Sequence, residues 1–317
     1  MKILVTGGAG FIGSNITGRL LEKGVEVIVL DNLSSGYKKN VEEFEGNPLF
    51  SFLLGDVANF EVVEACAKGV DAIIHQAALV SVPRSIEEPL LNHASTFTGF
   101  VNVLEAARRL NIPKVIYASS ASVYGDDPTL PKQEESIGNP LSPYALCKHG
   151  NERYADMYHR VYGVKSVGFR YFNVFGPKQD PSSVYSGVIS IFIDRALKEE
   201  PLTIYGSGEA TRDFIFVSDV VDAVFLAIEN EEATCEVFNL GTGKETSVLT
   251  LAQTIQTIVG NKKPLTYQPK RSGDIDRSVA SIEKISKRLG FKPKTSLMEG
   301  LQTTIAWVKE KSHVETR

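Results

Sequence analysis

The sequence predicts an α/β fold, a doubly wound parallel sheet with helices on both faces and a smaller mixed α/β lobe. Three observations predict it. Short apolar runs recur at Lys2–Thr6, Val25–Leu30, Leu49–Leu54, Ala72–His75 and Lys114–Ala118. Segments with apolar residues at helical spacing separate them, at Phe11–Lys23, Glu61–Lys68 and Asn92–Leu110. The first run ends in glycines. Strands that are apolar along their whole length and alternate with helices are covered on both faces, which is the pattern of a parallel sheet.

A long helix is expected from Tyr144 to Tyr162, with Ser142 as its N-cap and Pro143 in its first turn. Val164–Phe169 then reads as a returning strand. Beyond Tyr171 the alternation degrades: Val184–Lys198 helical, Leu202–Tyr205 a strand, Asp219–Glu229 helical, Val237–Leu240 a strand, Leu249–Val259 a helix. The 317 residues suit about two domains at roughly 150 residues each. Residues 1–171 read as the sheet domain, receiving some later strands and helices, and 172–317 mainly as a second lobe. No repeat or Pro-rich linker divides them, so the expectation is one body with a cleft.

Lys and Arg total 34 against 38 Asp and Glu, which leaves no basic field for a nucleic-acid backbone. A mean hydropathy of -0.06 argues against a membrane protein. The apolar stretch from Ile3 to Leu21 is interrupted by glycines, Asn15 and Arg19, so neither a signal peptide nor a membrane span is expected. Cys66, Cys147 and Cys235 lie far apart without a C-x-x-C pair, which fits a reducing cytoplasm and no zinc site. The five histidines show no metal spacing and read as structural.

Gly7, Gly10 and Gly13 sit between the first strand and first helix, where a tight turn exposes helix N-terminal amides to a pyrophosphate. Asp31 ends the second strand, where a carboxylate accepts hydrogen bonds from an adenosine ribose and repels a 2'-phosphate. The following Asn32-Leu33-Ser34-Ser35-Gly36 adds no cation, so NAD rather than NADP is expected. Asp56 and Val57, after the third strand, are placed to meet the adenine edge. Tyr144 and Lys148, four apart on one helix, share a face. Ser119, Ser120 and Ser122 leave the carboxyl end of the fifth strand, where ligands bind in doubly wound folds.

Seven motifs in order make the chain resemble the extended short-chain dehydrogenase/reductase family, with its Rossmann fold, and within it the UDP-sugar 4-epimerases. They are Thr6-Gly-Gly-Ala-Gly-Phe-Ile-Gly13, Asp31-Asn-Leu-Ser-Ser-Gly36, Ser119-Ser-Ala-Ser-Val-Tyr-Gly125, Tyr144-x-x-x-Lys148, Arg170-Tyr-Phe-Asn-Val-Phe-Gly-Pro177, Thr211-Arg-Asp-Phe214 and Arg271-Ser-Gly-Asp274. The resemblance implies that Tyr144 is the catalytic base and acid, that Ser120 hydrogen-bonds the sugar O4 with Ser122 as a secondary hydroxyl, and that Lys148 holds the nicotinamide ribose and lowers the tyrosine pKa. Moving a phenol from about 10 to near 7 takes about 4 kcal/mol of preferential phenolate stabilisation, which the neighbouring ammonium and the cationic nicotinamide ring together are expected to supply in a dry cleft. It implies hydride passage from the sugar C4 to NAD and back to the other face of a 4-keto sugar. It implies further NAD contacts at Phe11, Ile12, Gln76, Ala77, Ala78 and Tyr171. On the substrate side it implies Arg212 and Arg271 on the diphosphate, Asn173 on the diphosphate or sugar, and Asp274 on the uridine ribose. Thr203 and Tyr205 lie on the uracil-side strand, with Ser81, Val188 and Ser278 near the sugar. Relatives also imply a homodimer through the helices at Asn92–Leu110 and Tyr144–Tyr162.

Ser278 lies seven residues after Arg271, where members restricted to glucose and galactose tend to carry Tyr. A small residue there leaves room for an N-acetyl group, and residues 76–84 and 183–188 also resemble the N-acetylhexosamine branch. The expected reaction is therefore interconversion of UDP-N-acetylglucosamine and UDP-N-acetylgalactosamine, with UDP-glucose and UDP-galactose as a second pair. Val80 stands where a Lys is frequent and Thr96 where an Asn is frequent. Ala121 and Ser122 replace the Asp-Glu pair of the related dehydratases, which removes the acid that dehydration needs. A UDP-glucuronate 4-epimerase or decarboxylase stays open, as does a non-catalytic NAD-binding regulator in which Tyr144 and Lys148 are dispensable.

Overall fold

The computed structural model describes residues 1–180, 187–270 and 275–315. The first half runs β1 (Lys2–Thr6), α1 (Phe11–Glu22), β2 (Glu26–Asp31), β3 (Phe50–Leu54), α2 (Phe60–Cys66), β4 (Ala72–His75), α3 (Val82–Glu87), α4 (Pro89–Asn92), α5 (Gly99–Leu110), β5 (Val115–Ser120), α6 (Pro143–Tyr162) and β6 (Ser166–Tyr171). Then follow β7 (Asn173–Phe175), α7 (Val188–Leu197), β8 (Thr203–Tyr205), β9 (Thr211–Arg212), β10 (Phe214–Phe216), α8 (Val217–Glu229), β11 (Cys235–Leu240), β12 (Thr246–Ser247), α9 (Val248–Val259), β13 (Thr266–Gln268), α10 (Glu283–Leu289) and α11 (Leu297–Glu315).

Seven parallel strands form the main sheet in the order β11-β6-β5-β4-β1-β2-β3. The order reverses between β1 and β4, and this switch point opens a crevice at the carboxyl ends of the strands. Side chains alternate between two dry layers. Ile3 and Val5 of β1 join Ile16 and Leu20 of α1, Val220 and Val224 of α8 and Ile285 of α10. Leu4 faces the opposite layer with Val63 of α2, Phe100 and Leu104 of α5 and Ala155 of α6. A third core joins Phe175 of β7, Phe192 of α7, Ile255 of α9 and Leu301 of α11.

The Ser142 hydroxyl caps α6 by accepting the Ala145 N–H at 3.1 Å. The helix expected over Asn92–Leu110 instead begins at Pro89 and passes through a wider π-type turn at His93–Thr98. The strand near Val237–Leu240 is β11, and it adds in parallel to the outside of β6 rather than joining the second lobe. That lobe holds three two-stranded sheets, β10-β7, β12-β9 and β13-β8. Val184, the expected start of the helix after the cleft, lies outside the described residues, and α7 starts at Val188. Among the described residues no helix is long and apolar enough to cross a membrane.

Candidate active site

The crevice is a cavity of about 630 Å³. Its floor is the β1–α1 turn. Gly7 takes φ +70°, and a Cβ there would stand 2.5 Å from the Ala77 nitrogen, so only glycine lets β1 and β4 close up. A Cβ at Gly13 would meet the Gly7 carbonyl at 2.2 Å. α1 opens at Gly10 with no side-chain cap, so its first-turn N–H groups, at Phe11, Ile12 and Gly13, face the cavity as donors for an anion. Asp31 accepts the Ala9 N–H at 2.9 Å and the Leu33 N–H at 2.8 Å, which ties the end of β2 to the glycine turn. Burial pushes its carboxyl up, and the two amides oppose that. Asn32 donates to Asp56 at 2.9 Å along the same rim. Ser34, Ser35, Gly36, Val57, Gln76, Ala77, Ala78, Ser119 and Tyr171 line the same space. Gln76 accepts the Tyr171 hydroxyl at 3.1 Å, while its buried Nε2 finds no partner among the described residues. A cradle of this shape, an uncapped helix end and a ribose-side carboxylate fit a dinucleotide without a 2'-phosphate.

At the other end Ser120, Tyr144 and Lys148 come together. Ser120 Oγ accepts from the Ser122 amide at 3.1 Å and from Ser122 Oγ at 2.9 Å, and it lines the same cavity wall as Tyr144. With two bonds accepted, its own proton is free to point at the tyrosine oxygen. Lys148 is buried and donates to the Ala118 carbonyl at 2.8 Å, with its ammonium 5.8 Å from the Tyr144 ring centroid. The expected lowering of the tyrosine by this lysine is not met in the protein alone. Burial pushes the phenol up to about 12, only partly offset by Ser120. Lys148 is itself lowered to about 8, again by burial. Tyr144 therefore rests as a neutral phenol, and a further positive charge must enter the cleft before it becomes a base.

The substrate-side residues are more dispersed. Ser81 and Asn173 line the cavity, Ser81 also capping α3 through the Arg84 N–H at 3.1 Å. Val188 follows Gly187, which lines the cavity, at the start of α7. Arg212 and Ser278 lie close together, because the Ser278 amide donates to the Thr211 carbonyl at 3.2 Å and Arg212 donates to that same carbonyl at 2.8 Å. Thr203 accepts the Arg195 guanidinium at 2.7 Å, and Tyr205 is half exposed on β8. Ser122, Val188, Thr203, Tyr205, Arg212 and Ser278 do not border the cavity itself. Arg271 and Asp274 lie outside the described residues. The sequence reading missed Tyr37 and Asp180, whose 2.5 Å hydrogen bond spans the cavity wall between the loop after β2 and the loop after β7. Tyr37 directly follows the recognised Asp31–Gly36 loop, the one signal that could have pointed to it.

Residues 3–241 match the family described as NAD dependent epimerase/dehydratase. The UDP-glucose 4-epimerase of Mycolicibacterium smegmatis is 38% identical over 314 residues, spanning 98% of this chain and 100% of that protein. Among solved structures, the UDP-glucose 4-epimerase of Thermotoga maritima with UDP-glucose superposes with a TM-score of 0.93 at 38% identity, covering 98% of this chain and 100% of its own. The UDP-N-acetylglucosamine 4-epimerase of Methanobrevibacter ruminantium, in complex with UDP-N-acetylmuramic acid, gives a TM-score of 0.93 at 36% identity and covers 98% of both chains.

Proposed function

From the premise that the chain belongs to the NAD dependent epimerase/dehydratase family, we propose that it is a UDP-sugar 4-epimerase. Its substrates are UDP-N-acetylglucosamine and UDP-N-acetylgalactosamine, with UDP-glucose and UDP-galactose as a second pair. The observation that carries the reaction is the convergence of Ser120, Tyr144 and Lys148 on one end of the dinucleotide cradle, with the Lys148 ammonium 5.8 Å from the Tyr144 ring centroid. NAD, when bound, supplies a reversible hydride acceptor and a positive ring. Gly7, Gly10, Gly13 and Asp31 hold its diphosphate and ribose, and Lys148 its second ribose. Tyr144 takes the 4-hydroxyl proton and returns it, while Ser120 orients that oxygen. Burial keeps the phenol neutral at rest, and a cation held beside it in the loaded site would favour its charged form.

The choice of sugar rests on Ser278, a small residue whose backbone amide shares the Thr211 carbonyl with Arg212. Arg212 offers the fork that a diphosphate prefers. The test compares UDP-N-acetylglucosamine with UDP-glucose as substrates of the native protein and of Ser278→Tyr. The bulky ring must lower the ratio of acetylated to plain-sugar turnover; an unchanged ratio removes Ser278 as the gate. We also propose a homodimer. Leu90 of α4 and Leu146 and Tyr154 of α6 are exposed on helices that pack against each other, and Phe97 packs edge-on against Tyr154 at 5.0 Å.

A further inference from the structure

Glu152 lies one turn beyond Lys148 and two beyond Tyr144 on α6, so the three project from one face of the helix. Unlike the other two, Glu152 does not border the cavity. It meets Arg170 of β6 in a buried, two-pronged ion pair, Nε to Oε1 at 2.9 Å and Nη2 to Oε2 at 2.8 Å. Oε1 also accepts the Ser119 hydroxyl at 2.5 Å. Arg170 Nη1 donates to the Tyr124 hydroxyl at 3.0 Å and to the Glu134 carbonyl at 2.9 Å. Tyr124 donates in turn to Asn239 of β11 at 2.5 Å, and the Asn239 amide donates to the Glu134 carboxylate at 2.8 Å.

Ser119 immediately precedes Ser120, and Tyr124 closes the short turn Ala121–Tyr124 that follows it. The Ser120–Ser122 hydroxyl pair therefore hangs between two anchors that both end on one ion pair. The carboxylate of that pair rides on the helix that carries Tyr144 and Lys148. We propose that the Glu152–Arg170 pair is a positioning device that sets the register of Tyr144 and Lys148 against Ser120. The proposal rests on the epimerase reading above. Apolar packing lets a helix slide or rotate by fractions of an ångström over a sheet, whereas a guanidinium–carboxylate fork fixes both distance and angle. Each guanidinium nitrogen has a buried acceptor, which makes the network rigid. Stability alone gives no reason for it, because a buried ion pair is often replaced by apolar side chains at no loss.

Lys148 is faced by Tyr144, Cys147 and Glu152 of its own helix, by neutral His75 of β4 and by the Ala118 carbonyl of β5. The Glu152 charge favours its ammonium. Removing that charge moves the alkaline limb of the rate profile to lower pH.

The experiment uses the NAD-loaded protein and the variants Glu152→Gln, Glu152→Met/Arg170→Met, and Asp156→Asn, a half-buried carboxylate paired with Arg160 one turn further along the same helix, as the control. For Glu152→Gln we expect kcat to fall on the order of 10- to 100-fold, with KM and NAD retention within about threefold and the alkaline limb displaced downward. The double variant should recover Tm without recovering kcat, and the control should match the native protein. Recovery of kcat together with Tm, or native kcat in Glu152→Gln, overturns the proposal. Crystal structures of native protein and Glu152→Gln decide it without turnover: the Ser120 Oγ to Tyr144 Oη distance must change, and an unchanged distance overturns it. A native protein that converts no UDP-sugar refutes the epimerase reading, while the distance comparison still judges the clamp.

Discussion

Replacing Gly7 by Ala separates two costs that the structure assigns to the dinucleotide cradle. Gly7 and Gly24 both take a left-handed φ, +70° and +74°, but a Cβ at Gly24 meets nothing within 4 Å whereas one at Gly7 stands 2.5 Å from the Ala77 nitrogen. Gly24→Ala therefore costs only the left-handed conformation, about 1–2 kcal/mol. Gly7→Ala adds overpacking against backbone that has no rotamer to yield, about 1–3 kcal/mol more. The clash also pushes β4 from β1 at the point where a pyrophosphate must approach. Thermal unfolding of both variants, with and without NAD, reads both effects. Gly24→Ala should lose a little Tm and keep the full upward shift on adding NAD, while Gly7→Ala should lose more Tm and most of that shift. Equal losses in the two variants with equal NAD shifts would refute the close-approach argument.

Tyr144→Phe should lower kcat by about 10²- to 10⁴-fold with NAD retained and no loss of Tm, measured by steady-state turnover beside melting curves. The His75 ring is held down to about 3 by burial, with Lys148 adding to it, against an ordinary 6.5. The unfolded chain thus gains a proton below about 6.5 that the folded one refuses, and stability falls between those pH values by up to about 1.4 kcal/mol per unit. Denaturant midpoints across that window should fall more steeply for the native protein than for His75→Asn; parallel curves would exclude His75 as the source. Light scattering at micromolar concentration should show a dimer that Leu146→Glu converts to monomer, and a native monomer contradicts the proposed helix pairing.

The sheet half was legible in the sequence because the central strands are buried on both faces, as at β1 and β4, while only the edge strand β3 is largely exposed. The carboxylate at Asp31 and the four-residue spacing of Tyr144 and Lys148 are local patterns, so they were readable before the fold was known. What failed to show were long-range events. Some later strand was expected to join the main sheet, but nothing in the residues of β11 names it as that strand or β6 as its neighbour. α10 and α11 carry weak apolar patterns and were not expected at all. The Tyr37–Asp180 contact joins residues 143 positions apart. The resting state of Tyr144 also escaped, because the Tyr-x-x-x-Lys spacing conveys proximity and not the desolvation that raises the phenol.

The central claim is tested most directly by incubating the NAD-loaded protein in water with UDP-N-acetylglucosamine deuterated at C4, and separately with UDP-glucose so labelled, without added reductant, and following the sugars by NMR. The account predicts galacto-configured products from both substrates, with the label retained at C4 because hydrogen leaves and returns within one closed site. Product that has lost the label to solvent, or no inverted product from either substrate while NAD stays bound, would contradict it.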